Sequence, residues 1–162
     1  MNRPHQLMLV EDSETQAIRL IYVLEKAGWP VTWVNSAARA FDEINRSRPD
    51  LILVDYYLPD IRGDELCRRI RMNIDTRGIP IIVLTAGDGH EDEVRGLEGG
   101  ADDFVPKSVD TDILQLRIRG LLAKSIESSP VLSPDEECFR KSRILTIDDS
   151  RTYLEFLGET LD

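Results

Sequence analysis

Apolar positions along this chain follow two rhythms. Short unbroken runs at Leu7–Val10, Leu51–Val54, Ile79–Leu84 and Phe104–Val105 are aliphatic, rich in β-branched residues and bounded by Gly, Pro or charge. Such runs predict strands buried on both faces. Helical patterns lie between them, over residues 13–26, 36–46, 63–73, 91–99 and 110–124, and residues 30–35 supply one further strand. Strand and helix thus alternate five times. Short connections in such an alternation imply parallel strands joined by right-handed crossovers, and a doubly wound α/β sheet of this kind binds ligands beyond the carboxyl ends of its strands.

Composition narrows the picture. The chain has 162 residues, 41% of them hydrophobic, which suits one compact domain and an appendage. Its longest apolar runs fall far below the roughly 20 residues needed to cross a bilayer, and nothing resembles a signal peptide. A cytoplasmic protein with no membrane contact is expected. Cys67 and Cys138 show no metal-ligand or redox spacing and read as free thiols. A formal charge of −10 would repel a phosphate backbone, so nucleic acid is not expected as a direct partner.

An internal repeat organises the rest. The segment from Leu7 to Thr15 lines up with that from Ile144 to Thr152 at an offset of 137 positions, and Leu20 and Leu24 line up with Leu157 and Leu161. A strand, an acidic pair and an amphipathic helix recur together, as in repeated supersecondary units. The expected organisation is a first domain over 1–124, a linker over 125–142 rich in Ser, Pro and acidic residues, and a truncated second unit over 143–162, a C-terminal β-α stub.

Each predicted strand of the first domain delivers a chemically apt residue to the same rim. Glu11 and Asp12 follow the first run, Asp55 the second, Thr85 the third and Lys107 the fourth. Three carboxylates at one place repel, and a divalent cation removes the conflict. Mg²⁺, with Mn²⁺ an alternative, takes oxygen ligands and bridges carboxylates to phosphate oxygens. One Asp55 oxygen could then attack an activated phosphorus, as carboxylate nucleophiles do. Lys107 and the Thr85 hydroxyl would neutralise and bind the equatorial oxygens of the transferred group, and the small Ala86 would leave it room.

Taken singly, these residues have ordinary readings. Asp12 or Ser13 could cap a helix, Thr85 could be a strand-end hydroxyl, Lys107 a solvated charge, and Asp55 a turn residue before Leu58-Pro59-Asp60. The weight lies in four successive rim positions all carrying a required group. His5 and His90 are too isolated for a metal cluster. The basic run from Arg68 to Arg71 reads as the solvated side of a helix, and Trp29 and Trp33 read as packing residues.

Residues 6–124 resemble the bacterial response-regulator receiver domain. The resemblance implies a flavodoxin-like (βα)5 fold with a five-stranded parallel sheet. Glu11 and Asp12 would bind Mg²⁺ with Asp55 and the backbone carbonyl of Tyr57, Asp55 would accept the phosphoryl group, and Thr85 and Lys107 would complete the site. The loop from Asp55 through Pro59 to Gly63, and the intervals of 30 and 22 separating Asp55, Thr85 and Lys107, fit the family pattern. The implied partners are a histidine kinase or phosphotransfer protein and an output domain in the parent chain, either a hybrid histidine kinase or a diguanylate cyclase. Phe104 matches the aromatic switch position that couples to Thr85. Arg95, Asp102, Asp103 and Arg117 resemble part of a dimer-forming charge set, interrupted by Glu93 and Ile113, so a homodimer is permitted by the pattern and not required by it.

Two departures stand out. Ser108 follows Lys107 where the family usually has a proline in a cis peptide. Such a bond to a non-proline residue costs about 2.5–4 kcal/mol, which favours a trans loop. Tyr57 occupies a position that in the family affects phosphoryl lifetime. Two other classes compete with a phosphoryl-accepting module. An Asp-nucleophile phosphatase would want a second Asp where Tyr57 stands, and a non-phosphorylated receiver-like scaffold or dimerisation module would have no need of the intact five-residue site.

Overall fold

The computed structural model describes residues 3–86 and 99–127, with side chains as far as Lys124. In chain order the elements are β1 (Leu7–Val10), α1 (Glu14–Lys26), β2 (Val31–Val34), α2 (Ala37–Arg46), β3 (Leu51–Asp55), α3 (Gly63–Met72), β4 (Ile81–Thr85), β5 (Asp103–Pro106) and α4 (Thr111–Glu127). The helix expected over 91–99 and the β-α stub over 143–162 lie outside the described residues. So do Arg95, His90, Glu93 and Cys138. Among the described residues no helix is long and apolar enough to cross a membrane.

All five strands form one parallel sheet in the order β2-β1-β3-β4-β5. Its central strands are buried along their whole length, which is why they read as unbroken apolar runs. Alternate side chains feed two cores. Met8, Val10, Ile52, Val54, Ile81 and Val83 meet α2 and α3 on one face. Leu7, Leu9, Leu51, Leu53, Ile82 and Leu84 meet α1 and α4 on the other. At roughly 1.5–3 kcal/mol for each fully buried aliphatic side chain, this two-sided burial dominates the stability of the sheet.

Boundaries moved by a few residues for identifiable reasons. Ile79 and Pro80 precede β4 instead of opening it. Proline has no N–H for a ladder bond, and the Ile81 amide donates to Asp102 Oδ2 at 2.7 Å. Helix α4 continues three residues past the expected Lys124. At the end of α1, Gly28 takes φ +92°, a left-handed conformation suited to glycine, and the Trp29 amide then returns to the Leu24 carbonyl at 3.1 Å.

Candidate phosphoacceptor and metal site

The site forms where β1, β3, β4 and β5 end side by side. Asp55 closes β3 with only 4% of its surface exposed, and Glu11, directly after β1, is fully buried. Asp12 projects to solvent from the same loop. One carboxylate oxygen from each of Glu11, Asp12 and Asp55 lies within 4.8 Å of the other two. Glu11 folds back so that Oε1 accepts from the Ser13 amide at 3.2 Å, and the Trp33 indole on β2 donates to the Glu11 carbonyl at 2.8 Å. The loop is thus held by a side chain and a backbone bond of its own.

Lys107 balances this charge. Its ammonium lies 2.8 Å from Glu11 Oε2 and 2.9 Å from Asp55 Oδ2, and donates to Gln16 Oε1 on α1 at 2.7 Å. Thr85, 2% exposed at the end of β4, holds the lysine backbone by accepting from the Lys107 amide at 2.7 Å. There is no cis peptide among the described residues, so the Lys107–Ser108 bond is trans. A trans bond still allows the ammonium to reach both buried carboxylates.

Burial pushes the Glu11 carboxyl above its ordinary value of 4.5, and the Asp55 charge adds to the rise. The Lys107 ammonium and the Ser13 amide oppose it. A buried carboxylate whose proton affinity is raised by desolvation and by a neighbouring carboxylate charge is the electrostatic signature of a site that gains from a second cation. Hard oxygen donors at this spacing fit Mg²⁺.

The loop after Asp55 is tightly built. The Tyr57 amide faces Asp55 Oδ1 at 3.4 Å, Tyr57 forms an antiparallel bridge with Arg62, and the Gly63 amide donates to the Tyr56 carbonyl at 2.8 Å. A Cβ on Gly63 would stand 2.7 Å from the Asp55 carbonyl oxygen, so only glycine lets α3 start this close to the acceptor strand. Tyr57 itself is 54% exposed. Asp60 reaches across to the start of α2 and accepts from the Ala37 and Ala38 amides at 3.1 and 2.8 Å.

Five expected residues therefore meet at the rim, with Tyr57 beside them. Phe104 is half-buried on β5 and packs against the α2/α3 core. Three readings gain partners within the domain. Arg71 is no solvated charge: it donates to the Gly100, Arg77 and Ile79 carbonyls and pairs with Asp102 at 2.7 Å, while Arg68 and Arg69 both pair with Glu65. Asp103 pairs with Arg117 of the same domain at 2.9 Å, as Asp102 does with Arg71. Trp33 packs as expected but also carries the bond to Glu11. Cys67 is free and buried, and burial pushes its thiol up to about 12, which makes it inert.

Strand order, five rim residues and lysine geometry define a receiver-type signalling domain. The chain matches the response regulator receiver domain family over residues 7–119 and belongs to it. The phosphate regulon transcriptional regulatory protein PhoB of Rhizobium meliloti is 38% identical over 120 residues, which span 74% of this chain and 53% of that protein. The chain thus spans about half the length of this curated relative. Among solved structures, the receiver domain of a signal transduction histidine kinase from Syntrophus aciditrophicus superposes with a TM-score of 0.72 at 35% identity, covering 78% of this chain and 96% of that one. The receiver domain of sensor histidine kinase PA1611 from Pseudomonas aeruginosa, with magnesium coordinated in its active-site cleft, gives 0.69 at 30% identity, covering 74% and 98%. As a member of this family the chain is a two-component signalling module.

Proposed function

We propose that this domain accepts a phosphoryl group on Asp55 from a phosphohistidine of a histidine kinase or phosphotransfer protein. The observation that carries the reading is the Lys107 ammonium placed between Glu11 and Asp55, inside a cluster of three carboxylates. Glu11, Asp12, Asp55 and the Tyr57 carbonyl would hold the cation. Mg²⁺ held there would supply the positive charge that neutralises the carboxylates and favours the transferred phosphoryl group. In the transfer the P–N bond of the donor breaks as an Asp55 oxygen forms the new P–O bond, and the imidazole leaves to take up a proton. Lys107 and the Thr85 hydroxyl receive the equatorial oxygens. Thr85, drawn toward the new charge, frees space for Phe104 to turn inward, and β5 with its flanking helices carries the change to an output domain or a second copy.

For the parent chain, we infer a multidomain sensor protein with two receivers, residues 143–162 belonging to the second and 125–142 linking them. The support is the recurrence of the strand, acidic pair and helix at an offset of 137. A hybrid histidine kinase fits this arrangement better than a receiver-linked diguanylate cyclase, since kinase receivers are among the similar structures.

The test is intact mass after incubation with Mg²⁺ and acetyl phosphate, for wild type and Asp55→Asn. One added phosphoryl group that requires both Mg²⁺ and Asp55 is the expected result. Folded wild-type protein that gains nothing, beside a receiver control that labels, would overturn the reading in favour of a scaffold.

A further inference from the structure

An ammonium has three N–H donors. The Lys107 ammonium donates to Glu11 Oε2 at 2.8 Å and to Gln16 Oε1 at 2.7 Å, and lies in an ion pair with Asp55 Oδ2 at 2.9 Å. Two of these partners change role during the reaction: Glu11 turns to the cation, and Asp55 becomes the acceptor. Gln16 does neither. It is neutral, lies in the first turn of α1, and is no part of the carboxylate cluster. The turn that carries Lys107, closed by the Val109 amide on the Pro106 carbonyl at 2.9 Å, holds the lysine backbone and leaves the ammonium to its side-chain partners.

We propose that Gln16 is a positioning residue that holds the Lys107 ammonium at the acceptor while the carboxylates are given over to the cation and the phosphoryl group. With two constant points, the Thr85 carbonyl on the lysine amide and the Gln16 carbonyl on the ammonium, the side chain stays stretched across the site and needs only to turn from the Asp55 carboxylate to a phosphoryl oxygen. Without Gln16 the ammonium leans on Glu11 and Asp55 alone, where it competes with the cation. Gln16 thus lowers the hold of Lys107 on the metal ligands and keeps it ready for the transferred group.

The inference rests on the phosphoacceptor reading, and Gln16→Met tests it by removing the carbonyl oxygen while keeping the length of an exposed side chain. Phosphorylation by acetyl phosphate at saturating Mg²⁺ is followed by intact mass, and Mg²⁺ affinity by calorimetry, each in wild-type and Lys107→Ala backgrounds. Loss of one charge-assisted hydrogen bond near the surface is expected to slow phosphorylation about three- to tenfold and to weaken Mg²⁺ binding severalfold, with both effects absent when Lys107 is already gone. Equal effects in the two backgrounds would overturn the inference, because Gln16 would then act other than through Lys107. So would a Gln16→Met protein that behaves as wild type while wild type labels normally, and there the phosphoacceptor reading stands. Wild type that neither binds Mg²⁺ nor labels removes both.

Discussion

Glu11 shows how burial and function oppose one another in a single side chain. Its folded proton affinity lies above the ordinary 4.5, burial being the largest cause and the Asp55 charge adding to it. A raised folded value means the protonated side chain is the better guest: the associated stability is present below about pH 4.5 and is lost as pH rises through the folded value. Binding of Mg²⁺ needs the proton gone, so its affinity should climb over the same window. Glu11→Gln is therefore expected to raise the melting temperature of the metal-free domain at pH 7 and to abolish most of the thermal shift produced by Mg²⁺. Scanning calorimetry with and without Mg²⁺ decides, and a variant that melts lower yet keeps the full shift would refute the account. The charged members of the site were legible because each ends an apolar run. Trp33 and Gln16 were not, since their bonds to Glu11 and Lys107 join residues 22 and 91 positions apart.

Between elements, the most informative contact is Asp60. It lies in the loop after the acceptor strand yet supplies the acceptors that the first amides of α2 lack. Partial burial raises its proton affinity, but the amides of Ala38, Ala37, Asp60 and Ile61 together outweigh that and hold the carboxyl below its ordinary 3.8. The stability it contributes is thus present above about pH 3.8 and disappears as pH falls through the lower folded value. Asp60→Ala should cost about 1 kcal/mol at pH 7, the usual scale for losing a helix cap, with a difference that shrinks in acid. Urea unfolding at pH 7 and below pH 3.8 measures it, and a cost that does not depend on pH would count against the capping role. Since the loop also carries Tyr57 and Gly63, the cap ties α2 to the acceptor segment. Gly63 was readable as a family position. Its physical reason, a Cβ 2.7 Å from the Asp55 carbonyl oxygen, needed coordinates.

At the scale of the molecule, the described residues, 3–86 and 99–127, contain the five-stranded sheet, both cores and the carboxylate cluster. A chain cut after Ser129 is accordingly expected to fold cooperatively, to bind Mg²⁺ with wild-type affinity and to label on Asp55. Loss of cooperative unfolding in that fragment would show that the first domain extends further. Strand positions, the parallel doubly wound arrangement and the rim location of Glu11, Asp12, Asp55, Thr85 and Lys107 were determined by the sequence alone, because two-sided burial writes itself as unbroken apolar runs and chain direction places every run's end on one edge. Only the tertiary structure decided that Arg71 is a clamp on three carbonyls and that Asp102 and Asp103 pair with Arg71 and Arg117 of the same domain. It also decided that Lys107 reaches two carboxylates across a trans peptide with Gln16 as its third partner. These depend on where long side chains from distant elements end in space, and local periodicity carries no record of that.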